Sequence, residues 1–204
     1  MNYVKRSTWK TASTKPNKCA NLQVIRGVSF GDGETPLSPP VVGNFRDGGV
    51  VFWINPSDPN HGLVCAIEDV SSSIQWYNGG YLHTGATGLA IGAGLASTKA
   101  IVAAQGGIEK AYAAGLAGAY RGTGGYTDWF LPSKEEFEEM AANVAIINNV
   151  SLTYGGSAMD GLSGVYWTST EYNSTLAYFF GFLNGNARYS SKNLTYSIRA
   201  IRAF

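Results

Sequence analysis

The sequence predicts an α+β domain in which an antiparallel sheet joins both chain ends and packs against two or three helices. Three observations carry this reading. Short apolar runs bounded by Gly and Pro open the compact part, and helical stretches fill its middle. Alternating segments with a strong hairpin turn close it.

The chain has 204 residues, enough for one domain of ordinary size with a substantial core. Apolar residues make up 45%, which excludes a disordered chain. Charged residues are only 14%, against about 25% in an average protein. The formal net charge of +1 argues against a nucleic-acid binder, which needs a basic face to displace counterions. The 26 Gly, 12 Tyr, 9 Phe and 5 Trp suit a loop-rich, aromatic-rich domain better than a helical bundle.

Residues 1–41 read as a basic arm and a Gly/Pro linker. Lys5, Arg6, Lys10, Lys15, Lys18 and Arg26 meet no acid within the first 30 residues. Gly31-Asp32-Gly33-Glu34-Thr35-Pro36-Leu37-Ser38-Pro39-Pro40 is dense in turn formers. The arm reads as a solvated tail, with an acidic partner as the alternative. No apolar run reaches the roughly 18 residues of a membrane span. No apolar stretch follows Met1-Asn2-Tyr3-Val4-Lys5-Arg6, so no signal peptide is visible. Cys19 and Cys65 read as unpaired thiols, with Cys65 buried in a strand; a bridge between them is the alternative.

Residues 42–204 read as the ligand-binding domain. Gly49-Val50-Val51-Phe52-Trp53-Ile54 is a buried strand, and the Pro-rich turn after it leads into a second strand over 63–67, forming a hairpin. Residues 76–94 are Gly-rich and irregular. Residues 97–105 read as a helix with Ser97 as its cap, and 108–116 as another. The clearest helix opens at Leu131-Pro132-Ser133-Lys134-Glu135-Glu136-Phe137, where Ser133 and Glu136 have capping-box spacing. Phe137, Met140, Val144 and Ile147 form its apolar stripe, and the glutamates at 135, 136, 138 and 139 read as a solvated face. Strands follow over 165–169 and 176–183. Asn184-Gly185 is a hairpin turn, a strand starts at Asn186, and 196–202 alternates as the last strand.

No chemistry-bearing motif stands out. His61 and His83 have no partner at metal-ligand spacing, and no metalloprotease, nucleophile-elbow or P-loop pattern occurs. Gly85, Gly88, Gly92 and Gly94 read as loop geometry rather than a phosphate cradle. Asp128 reads as a turn former. Glu171 interrupts an apolar region, and reads either as a loop anchor or as a ligand contact. Trp53, Trp129, Trp167 and Phe204 read as core. No cofactor, metal or catalytic residue is expected.

The unusual stretch lies between Tyr172 and Tyr196, loaded with Tyr, Asn, Ser and Phe. Tyr offers contact area at low entropic cost, and Asn and Ser offer adaptable hydrogen bonds, the chemistry of recognition surfaces. The candidate ligand-binding residues are Tyr172, Asn173, Tyr178, Phe180, Asn184, Asn186, Arg188, Tyr189, Ser190 and Asn193. Tyr178, Phe180 and Phe182 point the same way on a strand, as core or as an exposed aromatic row.

Five motifs occur in order. They are Gly48-Gly49-Val50-Val51-Phe52-Trp53; His61-Gly62-Leu63-Val64-Cys65-Ala66; Asp128-Trp129-Phe130-Leu131-Pro132-Ser133-Lys134-Glu135-Glu136-Phe137; Tyr166-Trp167-Thr168-Ser169-Thr170-Glu171-Tyr172; and Ile198-Arg199-Ala200-Ile201-Arg202-Ala203-Phe204. Through them residues 42–204 resemble the C-terminal domain of Legionella collagen-like adhesins, the DUF1566 family. The resemblance implies a C-type-lectin-like fold and a non-enzymatic binding role, with a protein or glycan partner on a cell surface or virion. It extends to the variable proteins of diversity-generating retroelements, which place a mutable ligand surface near the C-terminus. A structural phage tail or fibre subunit, assembled as a homo-oligomer, is the alternative. An enzyme on the formylglycine-generating fold is a third reading. Its late cysteine pair has no counterpart after Cys65, and an enzyme using Asp128, Glu171 and a His is a separate reading. The Glu-Pro-Asn calcium motif is also missing, since Pro132 precedes Ser133 and Pro56 lies in Asn55-Pro56-Ser57.

Overall fold

A computed structural model describes residues 38–107 and 111–204. Most of the basic arm, Cys19 and the start of the helix expected at 108–116 lie outside the described residues. A compact unit spans Ser38–Phe204.

The elements run as strands, then helices, then strands. Strands β1 (Phe45–Arg46), β2 (Gly49–Ile54), β3 (Gly62–Cys65) and β4 (Ser71–Gln75) come first. Helices α1 (Gly94–Gln105), α2 (Ala113–Ala119), α3 (Lys134–Ala142) and α4 (Val144–Thr153) follow. Strands β5 (Val165–Glu171), β6 (Leu176–Gly181), β7 (Asn186–Ser191), β8 (Thr195–Ile198) and β9 (Ile201–Ala203) close the chain. The fold is α+β, with two sheets and four helices among the described residues.

The first sheet has the order β1-β2-β3-β9 and is antiparallel throughout. Its β3–β9 pairing sets Leu63 opposite Ala203 and Cys65 opposite Ile201, so the end of the chain returns to its early hairpin. The second sheet has the order β4-β8-β5-β6-β7. It is not wholly antiparallel, because β5 and β8 run parallel where Tyr166 meets Ser197.

Strand alternation divides the core in two. Val51 and Val64 join Ile101, Trp129, Trp167 and Ile198 on one side. Val50, Phe52, Leu63 and Cys65 join Phe137, Met140, Tyr166 and Phe180 on the other. Successive side chains of a strand face opposite ways, so β2 and β3 are covered on both faces. Their near-continuous apolar sequence follows from that. Trp167 and Trp129 are buried, whereas Trp53 and Phe204 are only partly buried at the core margin.

Four local expectations change. Helix α1 starts three residues before Ser97, and Ala93 rather than Ser97 occupies the cap position. Ser97 is already inside the helix, its N–H bonded to Ala93 O at 2.9 Å. Second, the stripe expected along one helix spans two. Asn143 ends α3 and starts α4, and its side-chain amide donates to Phe52 O and Glu139 O.

Third, Glu136 is fully buried rather than solvated. Its carboxylate accepts from Ser133 N at 2.7 Å and Gly92 N at 2.8 Å, closing the capping box and tying the preceding loop to α3. Burial pushes the Glu136 carboxyl above its ordinary range, against the pull of those N–H donors. A side chain at Gly94 would lie 2.2 Å from Glu136 Oε2, so this close packing needs glycine.

Fourth, the last strand breaks at Arg199 and Ala200, and the chain passes from one sheet to the other. Arg199 is fully buried, and its guanidinium donates to Asp69, Ala66 O and Ser157 O at 2.7–3.1 Å. Asp69 also accepts from the Tyr166 hydroxyl at 3.0 Å. A buried cation needs such a full acceptor set, and meeting it takes the backbone out of simple alternation.

Cys65 is a free, buried thiol on β3, and burial pushes it up to about 12. Cys19, the other half of the alternative bridge, lies outside the described residues.

Candidate functional site

The β6–β7 hairpin carries the candidate site. Its turn contains the expected Asn184-Gly185 pair, and Gly185 takes φ +62°, a value few L side chains adopt. The strands then pair in strict register, with Tyr178 opposite Tyr189, Phe179 opposite Arg188 and Phe180 opposite Ala187. Strand β7 is the edge of its sheet.

That register separates the predicted residues onto two faces. Tyr178 and Tyr189 share one face with Phe180 and Ala187, whereas Arg188, Ser190 and Asn186 project from the other. On the first face three tyrosines cluster. Tyr172 and Tyr189 stack with ring centroids 4.0 Å apart and planes 6° from parallel. Tyr178 meets both edge-on, at 5.8 and 6.0 Å. Tyr172 is 47% exposed and Tyr189 51%. The Tyr189 hydroxyl beside it raises the Tyr172 phenol above its ordinary value.

Phe180 leaves the predicted set, because it is only 5% exposed. Phe137 on α3 stacks against it at 5.4 Å. Helix α3 covers this end of the face, so the row Tyr178-Phe180-Phe182 changes from exposed ring to core along its length. A shallow groove between α3 and the hairpin, with Glu138, Phe182 and Asn186 in its walls, runs over Phe180.

Asn173 has a structural task. Its side-chain oxygen accepts from Thr175 N, Thr175 Oγ1 and Leu176 N at 2.8–3.0 Å, fixing the β5–β6 turn. Asn184, Asn186, Arg188 and Asn193 are exposed. Arg188 donates to Asn186 Oδ1 at 3.3 Å, and Ser190 meets the Tyr196 hydroxyl at 3.3 Å. Asn193 contributes its backbone carbonyl to Gln75 at 2.9 Å.

Beneath the tyrosines lies an anchor that the sequence reading found only in part. Glu171 accepts from the backbone N–H of Thr84 and Gly85 at 3.0–3.1 Å, and from Lys192 Nζ at 2.5 Å. His83 Nδ1 sits 2.6 Å from the same carboxylate. Lys192, fully buried, also donates to Leu82 O and Ser174 O, and its ammonium lies 4.5 Å from the centre of the Trp76 ring. Burial pushes Glu171 up, but Lys192 and the Thr84 N–H outweigh it and hold the carboxyl below its ordinary value. Burial lowers Lys192, against the opposing pull of Glu171. The pair pins the loop over 82–86 and the β5–β6 turn to the end of β7, so it sets the base on which Tyr172 stands. Nothing in the local pattern Ser191-Lys192-Asn193 marks Lys192, since an isolated lysine in a polar stretch normally faces water.

Of the groups of the enzyme reading, Glu171 and His83 meet, and Asp128 stands apart from them. Asp128 pairs with Arg202 Nε at 2.5 Å, and Arg202 lies over the Tyr126 ring. Glu171 has a separate partner set. His61 bonds Phe204 O at 3.0 Å and lies 3.4 Å from Asp58.

Neither a family model nor a curated protein matches this chain. Among solved structures the chain is similar to a fimbrial protein from Bacteroides ovatus, with a TM-score of 0.53 and 18% identity. The match covers 83% of this chain and 46% of that one, so this chain spans about half of the neighbour's length. The likeness is one of fold.

Proposed function

We propose that this domain is a non-enzymatic ligand-binding module of the receptor-binding or adhesin type. The observation that carries the reading is the cluster of exposed Tyr172 and Tyr189 with half-buried Tyr178, on a sheet held by the Glu171–Lys192 pair. Large amphipathic rings fixed by one another lose little freedom on binding. The C-type-lectin-like fold is part of the proposal, supported by the return of β9 to β3 and by the long irregular segment between β4 and α1. Asn184, Asn186, Arg188 and Asn193 are exposed and support little of the fold, so a diversified surface there is compatible with stable folding. No helix among the described residues is long and apolar enough to cross a membrane.

The test is a glycan array and a whole-cell binding assay. Each compares the native chain with a variant carrying Tyr172→Ala, Tyr178→Ala and Tyr189→Ala. Loss of signal in the folded variant is the expected outcome; equal signal from both proteins would overturn the tyrosine site. A fibre subunit is the second reading, favoured by the fimbrial neighbour and by the open edge of β7. Light scattering separates the two: a stable oligomer that protects Tyr189 from solvent favours assembly.

A further inference from the structure

We propose that a hollow at the outer face of α1, apart from the tyrosine cluster, is a second binding site, for a small molecule with an apolar body and one carboxylate. The hollow has a volume of about 500 Å³ and lies between α1, the end of α2 and the segment 127–129. Leu95, Thr98, Lys99 and Val102 reach it from α1, and Asp128 and Trp129 from the opposite wall. Positions 95, 98, 99 and 102 recur at three- and four-residue spacing and share one helix face. The core-facing side of α1 is carried by Gly94, Ser97, Ile101 and Gln105, all buried, with Thr98 buried at the boundary between the two sides. Leu95 is left 37% exposed beside a ready apolar wall.

The polar groups decide what fits. Trp129 is 2% exposed, and its indole Nε1 has no hydrogen-bond partner among the described residues. The other two deeply buried indoles are satisfied: Trp76 donates to Thr168 O at 2.8 Å and Trp167 to Ile74 O at 2.9 Å. A buried N–H is normally paired, so the unpaired indole of a residue that lines the hollow leaves a donor for the acceptor of any ligand that reaches it. Thr98 is committed elsewhere, its hydroxyl accepting from Leu131 N and donating to Leu131 O. The charges at the mouth are asymmetric. Asp128 is compensated by Arg202, whereas Lys99 has no hydrogen bond or ion pair among the described residues. An apolar wall, an orphan donor and an uncompensated ammonium together match a medium-chain carboxylate.

Octanoate is the probe, titrated into the full chain labelled with ¹⁵N, with the Trp129 indole resonance assigned by Trp129→Phe. The Trp129 indole resonance is expected to move saturably with octanoate. Octanol, which has the same tail without the charge, is expected to bind about tenfold more weakly or worse. Lys99→Glu, at an exposed position that leaves folding intact, should weaken octanoate by a similar factor and leave octanol unchanged. Val102→Asp should abolish both. Equal affinity for octanoate and octanol would overturn the carboxylate assignment. An unmoved Trp129 resonance up to about 10 mM octanoate, a concentration far above useful affinity, would overturn the site. That is also the result if a chain segment or a second copy fills the hollow.

Discussion

Tyr172 and Tyr189 stand face to face at 4.0 Å, although 17 positions separate them in the sequence and one directly follows β5 while the other lies on the edge strand. Their contact bridges the β5–β6 turn and the outermost strand of the sheet. Removing one ring loosens the other without touching the core.

Tyr189→Ala should therefore cost little stability and much binding. Loss of an exposed stacked pair is worth about 1 kcal/mol, which lowers the melting temperature of a domain this size by about 2–4 °C. Arg188→Ala, on the opposite face, should leave tyrosine-face binding within about twofold while Tyr189→Ala reduces it tenfold or more. Calorimetry and a surface binding assay on both variants read this out. Equal loss from both would mean that the ligand wraps the strand edge.

Glu171→Gln should destabilise the fold by about 3–5 kcal/mol, because it leaves the Lys192 ammonium buried without its counter-charge. Adding Lys192→Met should recover much of that loss. Urea unfolding of the single and double variants measures the coupling. A single-variant loss below about 1 kcal/mol would show that water reaches the pair.

The same carboxylate should give an acid limb to the stability curve. Its folded value lies below its unfolded value, ordinarily about 4.3. Its contribution is complete above the unfolded value and is lost as pH falls through the folded one. Burial raises Asp69 and Glu136, which have the opposite sign and favour the acid side. The gap between native protein and Glu171→Gln should thus be wide at pH 7 and close below about pH 4. A gap independent of pH would contradict the ionised pair.

Ser133→Ala should lower stability by about 1–2 kcal/mol, since it removes the hydroxyl that accepts from Glu136 N and donates to Ala90 O, leaving only the Ser133 N–H half of the α3 capping box. Thermal unfolding reports the loss, and Ser133→Asp should restore part of it.

In a Cys19→Ser variant, Cys65 should react with a disulfide reagent only as fast as the protein opens. Its thiol is fully buried and held up to about 12. Labelling in native buffer at the rate of a free thiol would place Cys65 outside the core.

Much of this architecture is written locally. Gly and Pro around 49–54 delimit a strand, Ser133 and Glu136 close a box three residues apart, and Asn184-Gly185 turns a hairpin. Each depends on neighbours within about four residues, so sequence alone determined them. It also determined that the C-terminal stretch is rich in tyrosine and asparagine, whereas it left Glu171 open between loop anchor and ligand contact, a choice decided by the bonds to Thr84 and Gly85. Tertiary structure decided which of those side chains meet solvent. Phe180 and Tyr178 are two positions apart on one face of β6, yet α3 seals the first and ends short of the second. Lys192 and Arg199 look like surface cations until Glu171 and Asp69, from 21 and 130 positions away, neutralise them inside. Burial and ion pairing depend on contacts between distant segments, and those are fixed only when the whole chain has packed.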